Sequence, residues 1–186
     1  MVKQKRKQIR LKDYDYSENG AYFITICSKN REPLFGKIVR DGIPDVPLTD
    51  CDDNGNIFVK LSDIGQTIQQ TIEYIDEHNE KIEIEKYVIM PNHIHLIIMV
   101  NRINHKGFGT SGKPSPTENE DETRANEIIP KLVSSLKRYT NKQTKSDIWH
   151  RSYHNHIIRT QKDYDKIWEY IDTNPIKWEL DKYYVE

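Results

Sequence analysis

The run Val-Ile-Met-Pro-Asn-His-Ile-His-Leu-Ile-Ile-Met-Val, residues 88 to 100, constrains the fold more than any other part of the chain. Side chains alternate faces along a strand, so His93 and His95 leave one face and Ile94 leaves the other. Burying two imidazoles in so apolar a run has a desolvation cost that calls for a partner. Backbone carbonyls supply it for ordinary core histidines. One metal ion also supplies it, held from a fixed direction by two rings on a rigid strand.

A chain of 186 residues can bury one sizeable core, so residues 1–186 are expected to form a single domain. No apolar run nears the ~20 residues of a membrane span. The basic start is not followed by an apolar signal core, and Cys27 and Cys51 are too few for a disulfide framework. A cytoplasmic protein with no membrane partner is expected. The net charge of −1 hides a polarised distribution. Residues 1 to 12 hold six Lys or Arg and no acid, residues 131 to 162 hold eight against Asp147 alone, and residues 45 to 86 hold eleven acids against three bases. A basic surface beside an acidic one fits a nucleic-acid face with a solvated back.

Residues 21 to 27, after Asn19-Gly20, read as a first strand, and 33 to 56 as an irregular excursion. Residues 57 to 61 suggest a short edge strand. Ser62 can cap a helix running to about His78, with Ile64, Ile68, Ile72 and Ile75 at helical spacing. Strands follow at 82–90 and 93–100, joined by Pro91-Asn92. Residues 102 to 123 lose all periodicity and predict a mobile loop, and 1 to 12 a basic arm. A helix is expected from about Ile128 to Lys142, a strand within Trp149–Arg159, and a last helix over about Gln161 to Thr173, ended by Asn174-Pro175. The order predicts an α+β fold with a ferredoxin-like βαββαβ core, an antiparallel sheet with helices packed on it, and an extra C-terminal helix. That helix is free to cover the sheet face bearing the histidines.

On it, Ile167, Tyr170, Ile171 and Asn174 share one face. If this face meets the histidines, His93, His95 and Asn174 can hold a divalent metal, with Tyr170 beside a bound phosphate. A phenol is a weak nucleophile at neutral pH, and a cation on the phosphate stabilises the charge that develops during attack. A covalent phosphotyrosine would store the phosphodiester energy for later rejoining. Metal affinity would fall as the imidazoles protonate below about pH 6, given an ordinary pKa near 6.5.

Tyr-Val-Ile-Met-Pro-Asn-His-Ile-His-Leu-Ile (87–97) resembles the His-hydrophobic-His motif of the single-tyrosine HUH (IS200-like) transposase superfamily. Ile-Trp-His-Arg-Ser-Tyr-His-Asn-His-Ile-Ile-Arg (148–159) and Trp-Glu-Tyr-Ile-Asp-Thr-Asn-Pro (168–175) resemble segments of its REP-associated tyrosine transposases, and Tyr-Phe-Ile-Thr (22–25) also fits. The resemblance spans roughly residues 10 to 180. It implies that His93 and His95 are metal ligands, Asn174 the third, and Tyr170 the catalytic nucleophile. It also implies Mg²⁺ or Mn²⁺ as cofactor, and cleavage and rejoining of single-stranded or hairpin DNA through a 5′-phosphotyrosine. Members of the superfamily act as monomers or homodimers. The insertion-sequence branch usually has glutamine four residues after the tyrosine, so Asn174 points to the REP-associated branch.

Other assignments compete within the sequence. Tyr139 with Gln143 repeats the tyrosine–amide spacing on an earlier helix, and His154 with His156 repeats His-x-His, which would give a zinc site and a hydrolase. Lys131, Lys137, Arg138, Lys142, Arg151 and Arg159, interleaved with aromatic residues, are candidates to track DNA phosphates. The same fold without catalysis would serve as a nucleic-acid-binding module.

Overall fold

The computed structural model describes residues 20–40, 57–100 and 128–184. The expected basic arm and the expected loop at 102–123 lie outside these residues, as does Cys51. The first strand, β1 (Gly20–Cys27), is followed by β2 (Gly36–Arg40) and β3 (Ile57–Leu61). Next come α1 (Asp63–Glu77), β4 (Ile82–Met90), β5 (His93–Val100), α2 (Ile128–Thr144), β6 (His154–Ile158) and α3 (Gln161–Thr173). Four strands form an antiparallel sheet in the order β4-β5-β1-β6, with β1 and β5 at its centre.

One expectation fails in the region before α1. The stretch 33 to 56 is not wholly irregular, because residues 36 to 40 form a strand that pairs with the expected short strand at 57 to 61 in a separate two-stranded ladder. Gly36-Lys-Ile-Val-Arg is five residues set among Pro, Gly and Asp, so turn-rich flanks masked its β-branched centre. The ladder is anchored to the helix that follows it. A Cβ on Gly65 in the first turn of α1 would collide with the Phe35 carbonyl, so glycine permits the close approach. Ser62 caps α1 as expected, its hydroxyl accepting from Gly65 N at 3.1 Å and donating to Leu34 O at 2.7 Å.

The sheet is apolar on both faces. Tyr22, Ile24 and Ile26 of β1 and Ile94, Leu96 and Ile98 of β5 face α1 and α2, packing with Ile68, Ile72, Leu132, Val133 and Leu136. Ala21, Ile97 and Ile158 project from the other face against Ile171 of α3, with Ile167, Trp168 and Tyr164 around them. Burial on both faces explains why β5 reads as a nearly continuous hydrophobic run rather than an alternating one. The histidines belong to the α3 face. The register sets Thr25 opposite His95 on one side and His154 on the other, and Cys27 opposite His93.

The turn between β4 and β5 is fixed by the backbone. Pro91 O accepts from Phe35 N at 2.9 Å and Asn92 O from Ser28 N at 2.8 Å. Behind it, Trp149 packs on Phe35 with ring centroids 4.9 Å apart, and its indole donates to Thr140 Oγ1 at 2.6 Å. Truncating Leu96, fully buried under α1 and α2, should cost about 2–5 kcal/mol. Urea unfolding of Leu96→Ala measures this, and a loss within the noise of a surface mutation would contradict the layer assignment.

Candidate metal and tyrosine site

His93 and His95 are both fully buried, with Nε2 atoms 3.0 Å apart. Their outer nitrogens have different partners. Asn92 Nδ2 donates to Arg31 O at 3.2 Å and Tyr183 O at 2.8 Å, which fixes the orientation of the amide. Its Oδ1 therefore faces His93, and His93 Nδ1 donates to it at 2.9 Å. That leaves a lone pair on His93 Nε2, aimed into the space between the rings. His95 Nδ1 meets Thr25 Oγ1 at 2.8 Å. A hydroxyl can donate or accept, so Thr25 serves His95 in either neutral tautomer.

α3 carries two more groups into this space. Tyr170 OH lies 3.2 Å from His95 Nε2 and donates to Asp181 Oδ2 at 2.6 Å. Asn174, at the C-terminal end of α3 and 1% exposed, donates from Nδ2 to the same Asp181 oxygen at 2.8 Å. Its Oδ1 is buried with no hydrogen-bond partner. Buried amide oxygens are seldom left so, because burying a polar atom unpaired is costly. Asp181 is the residue that sequence reasoning missed. It lies beyond α3, after a short 3-10 turn (Trp178–Leu180), and is steadied by Tyr183 N donating to Oδ1 at 2.7 Å. The signal available was faint: Trp178 and Tyr183 sit either side of it and are buried against His93, at 5.9 and 4.6 Å between rings.

The group fits a divalent cation. His93, His95 and Asp181 each offer a ligand atom, and these lie within 4.8 Å of one another. Two nitrogens about 2.1 Å from one ion and at right angles to each other are roughly 3 Å apart, as the Nε2 atoms are. The Asn174 amide oxygen is a further buried oxygen atom without a hydrogen-bond partner, on the residue whose Nδ2 bonds Asp181. Two imidazoles and a carboxylate form a mixed nitrogen and oxygen donor set.

Burial governs the protonation of these groups. It pushes the His93 imidazole down to about 4, aided by Lys182 and Arg31 and opposed by Asp181. Burial also pushes His95 well below its ordinary value, and the neighbouring His93 adds to this. The phenol of Tyr170 is raised, first by burial and then by its hydrogen bond to Asp181. Burial works against the Asp181 carboxylate, but hydrogen bonds from Tyr170, Tyr183 N and Asn174 outweigh it and hold its pKa below the ordinary value. The expectation that the histidines protonate below about pH 6 is thus corrected. A dry site keeps them neutral to lower pH.

The remaining candidates are placed elsewhere. Tyr139 lies on α2, across the sheet from the histidines, exposed and stacked on Tyr74 at 6.2 Å. His156 Nε2 donates to Asp163 Oδ2 at 2.7 Å, and neither His156 nor His154 is part of the three-residue group found among the described residues. Lys131, Arg138 and Lys142 are exposed on α2, also across the sheet, and Arg151 and Arg159 are exposed at the two ends of the β6 region. Lys137 differs from all of them. Its ammonium donates to three carbonyls, of His150, Arg151 and Ser152, at 2.7, 3.3 and 3.3 Å, and burial pushes its pKa down to about 8. It pins the chain leading into β6 and is not presented to a ligand.

The buried histidines generate a pH prediction. The unfolded chain takes up protons on them below about pH 6.5, whereas folded His93 resists to about pH 4. Stability should therefore be fully present above pH 6.5 and fall as pH drops toward 4, by up to about 1.4 kcal/mol per pH unit for each imidazole. Urea unfolding across this range checks it. The slope should shrink in His93→Gln, His95→Gln, and an unchanged slope would contradict the burial of neutral imidazoles.

No family model matches the chain. An uncharacterized protein of Haemophilus influenzae is 35% identical over 186 residues, covering 97% of this chain and 94% of that protein. A second protein of the same organism, provisionally named a REP-associated tyrosine transposase, is 24% identical over 172 residues, covering 88% of this chain and 74% of that one. Among solved structures, a REP-associated tyrosine transposase bound to a REP hairpin shares the fold with a TM-score of 0.55 at 19% identity, covering 93% of this chain and 76% of that one. The chain therefore belongs to one family with the uncharacterized Haemophilus influenzae protein, and is a distant homologue of the REP-associated tyrosine transposases of the IS200-like group.

Proposed function

We propose that this protein cleaves and rejoins single-stranded DNA at hairpin-forming sites, with Tyr170 as nucleophile and Mg²⁺ or Mn²⁺ held by His93, His95 and an oxygen of Asp181 or Asn174. The strand order β4-β5-β1-β6 supports reading the sheet as a ferredoxin-like core and α3 as an added helix that would carry the nucleophile. The observation that carries the reading is the convergence of Tyr170 OH with His95 Nε2 at 3.2 Å and Asp181 Oδ2 at 2.6 Å. The distant homologue bound to a REP hairpin supports the class of DNA.

The residues divide the work as follows. Tyr170 Oη attacks the scissile phosphorus and forms a new O–P bond. The 3′-oxygen leaves with the electrons of the broken P–O bond and takes a proton, giving a free 3′-hydroxyl. The phenol is buried enough to remain protonated, so its proton needs an acceptor, and Asp181 Oδ2 already holds the hydrogen bond. Asn174 Nδ2 keeps that carboxylate in place, while Phe23, edge-on at 6.2 Å, restrains the tyrosine ring. A bound cation supplies charge stabilisation of the phosphate oxygens during attack. Reversal by another 3′-hydroxyl rejoins strands, since the phosphotyrosine conserves the phosphodiester energy.

Tyr170→Phe removes the attacking oxygen and keeps the ring. It also leaves the Asp181 carboxylate one donor short, so a stability loss of about 1–2 kcal/mol is expected with the fold retained. The assay incubates a panel of labelled hairpin oligonucleotides with Mn²⁺, quenches in detergent and resolves covalent adducts on a denaturing gel. Wild type should give a retarded band and Tyr170→Phe none. A band that persists in Tyr170→Phe would move the nucleophile elsewhere, and no band from wild type across the panel would favour a binding module without catalysis.

A further inference from the structure

We propose that the cleft beside the histidine pair, between the edge of β6 and the Lys182–Tyr183 segment, is a subsite for one unpaired nucleotide, its phosphate held by Arg31 and Lys182. The inference deepens the strand-cleavage reading and rests on it for the class of ligand. The cleft has a volume of about 360 Å³. That is at the small end of ligand pockets, and suits one nucleotide rather than a duplex.

The cleft shares its walls with the site already described. Phe23 lines it and stacks on His95 with ring centroids 5.0 Å apart. Thr25 lines it and bonds His95, and the Tyr183 ring lies 4.6 Å from His93. A nucleotide seated here would be the immediate neighbour of a phosphate at Tyr170. The aromatic lining offers stacking to a base with a free face, which a single strand has and a duplex lacks.

Its charge is positive. The Arg31 guanidinium sits 5.6 Å and the Lys182 ammonium 4.8 Å from the centre of the Tyr183 ring, and both side chains are exposed. Among the described residues, no acid lines the cleft. The nearby carboxylates are engaged: Asp163 with His156, and Asp181 with Tyr170, Asn174 and Tyr183 N. Partial burial and then the charges of Lys182, His150 and Arg31 lower the pKa of His154 in the same cleft.

The backbone that presents Arg31 is strained. Asn30 and Arg31 are successive non-glycine residues in the left-handed region, with φ of 56° and 60°. Such conformations persist only where surrounding structure enforces them, and they cluster at functional sites. The turn is held by Arg31 N donating to Ser28 O at 3.3 Å, Ser28 Oγ to Glu32 O at 2.7 Å, and Asn92 Nδ2 to the Arg31 carbonyl at 3.2 Å, the last from the same amide that orients His93. One side chain thus contacts both the imidazole and the backbone that carries Arg31. A guanidinium suits a phosphate because its planar fork donates two parallel hydrogen bonds.

The test measures binding of a fluorescein-labelled single-stranded 12-mer of mixed sequence by anisotropy, over a series of KCl concentrations. EDTA is present and every protein carries Tyr170→Phe, so cleavage does not contribute. Arg31→Gln and Lys182→Gln alter exposed side chains and should fold normally. Each should weaken binding severalfold and flatten the plot of log K against log[salt] by about 0.7, the value for one phosphate contact on a single strand. A 5-iodouracil 12-mer irradiated on the protein should crosslink to Phe23 or His154. Wild-type slopes in both variants, crosslinks confined to α2, or no binding of the 12-mer would each overturn the subsite. Loss of adduct formation in the hairpin assay with the slope effect intact removes cleavage and leaves the subsite. Adduct formation with unaltered slopes does the reverse.

Discussion

Two imidazole nitrogens facing each other across 3.0 Å inside a dry sheet face are the interaction on which the rest of this structure depends. Left alone, the pair is satisfied only if one ring donates to the other. Asn92 leaves His93 Nε2 as the acceptor, so His95 must carry the proton on Nε2 and receive from Thr25 at Nδ1. A cation held by both histidines would replace that hydrogen bond, and the protein's only change would be a proton on His95 Nδ1 donated to Thr25. The outer partners therefore accept both states without rearranging the sheet.

Everything around the pair holds it in that geometry. β5 is central and β1 lies beside it in register, so Thr25 reaches His95 from the neighbouring strand. The opposite face is closed by α1 and α2, which makes the strands rigid supports rather than edges. α3 covers only part of the histidine face. Its apolar residues pack near Ile97, and its last turn brings Tyr170 against His95 and Asn174 onto Asp181. The chain then returns through Trp178, Asp181 and Tyr183, which closes the site and supplies its carboxylate.

Much of this was legible in the sequence because it depends on periodicity. The two-residue repeat puts His93 and His95 on one face, and the helical repeat puts Tyr170, Ile171 and Asn174 on one side of α3. The order of elements then brings those faces together. What the sequence hid depends on contacts between distant segments. Asp181 follows no repeat, and its role comes from a 3-10 turn that folds it back onto Tyr170. Lys137 reads as one of several exposed cations on a basic stretch, yet it occupies the one position on α2 from which an ammonium reaches three carbonyls of residues 150 to 152. Arg31 gave no signal at all, because its left-handed backbone depends on tertiary contacts, among them Asn92, which lies 61 residues away. The hairpin partner of Ile57–Leu61 was hidden for a simpler reason, the brevity of Gly36–Arg40.

The central claim is that the facing nitrogens are a metal site built on both histidines. Pulsed EPR of protein loaded with Mn²⁺ tests it most directly, since nitrogen couplings report imidazoles bound to the ion. The account predicts couplings from two imidazole nitrogens in wild type, one in His93→Ala or His95→Ala, and two retained in Asn92→Ala, where His93 keeps its ring but loses its outer partner. A spectrum without nitrogen couplings, or one that neither histidine substitution changes, would contradict it.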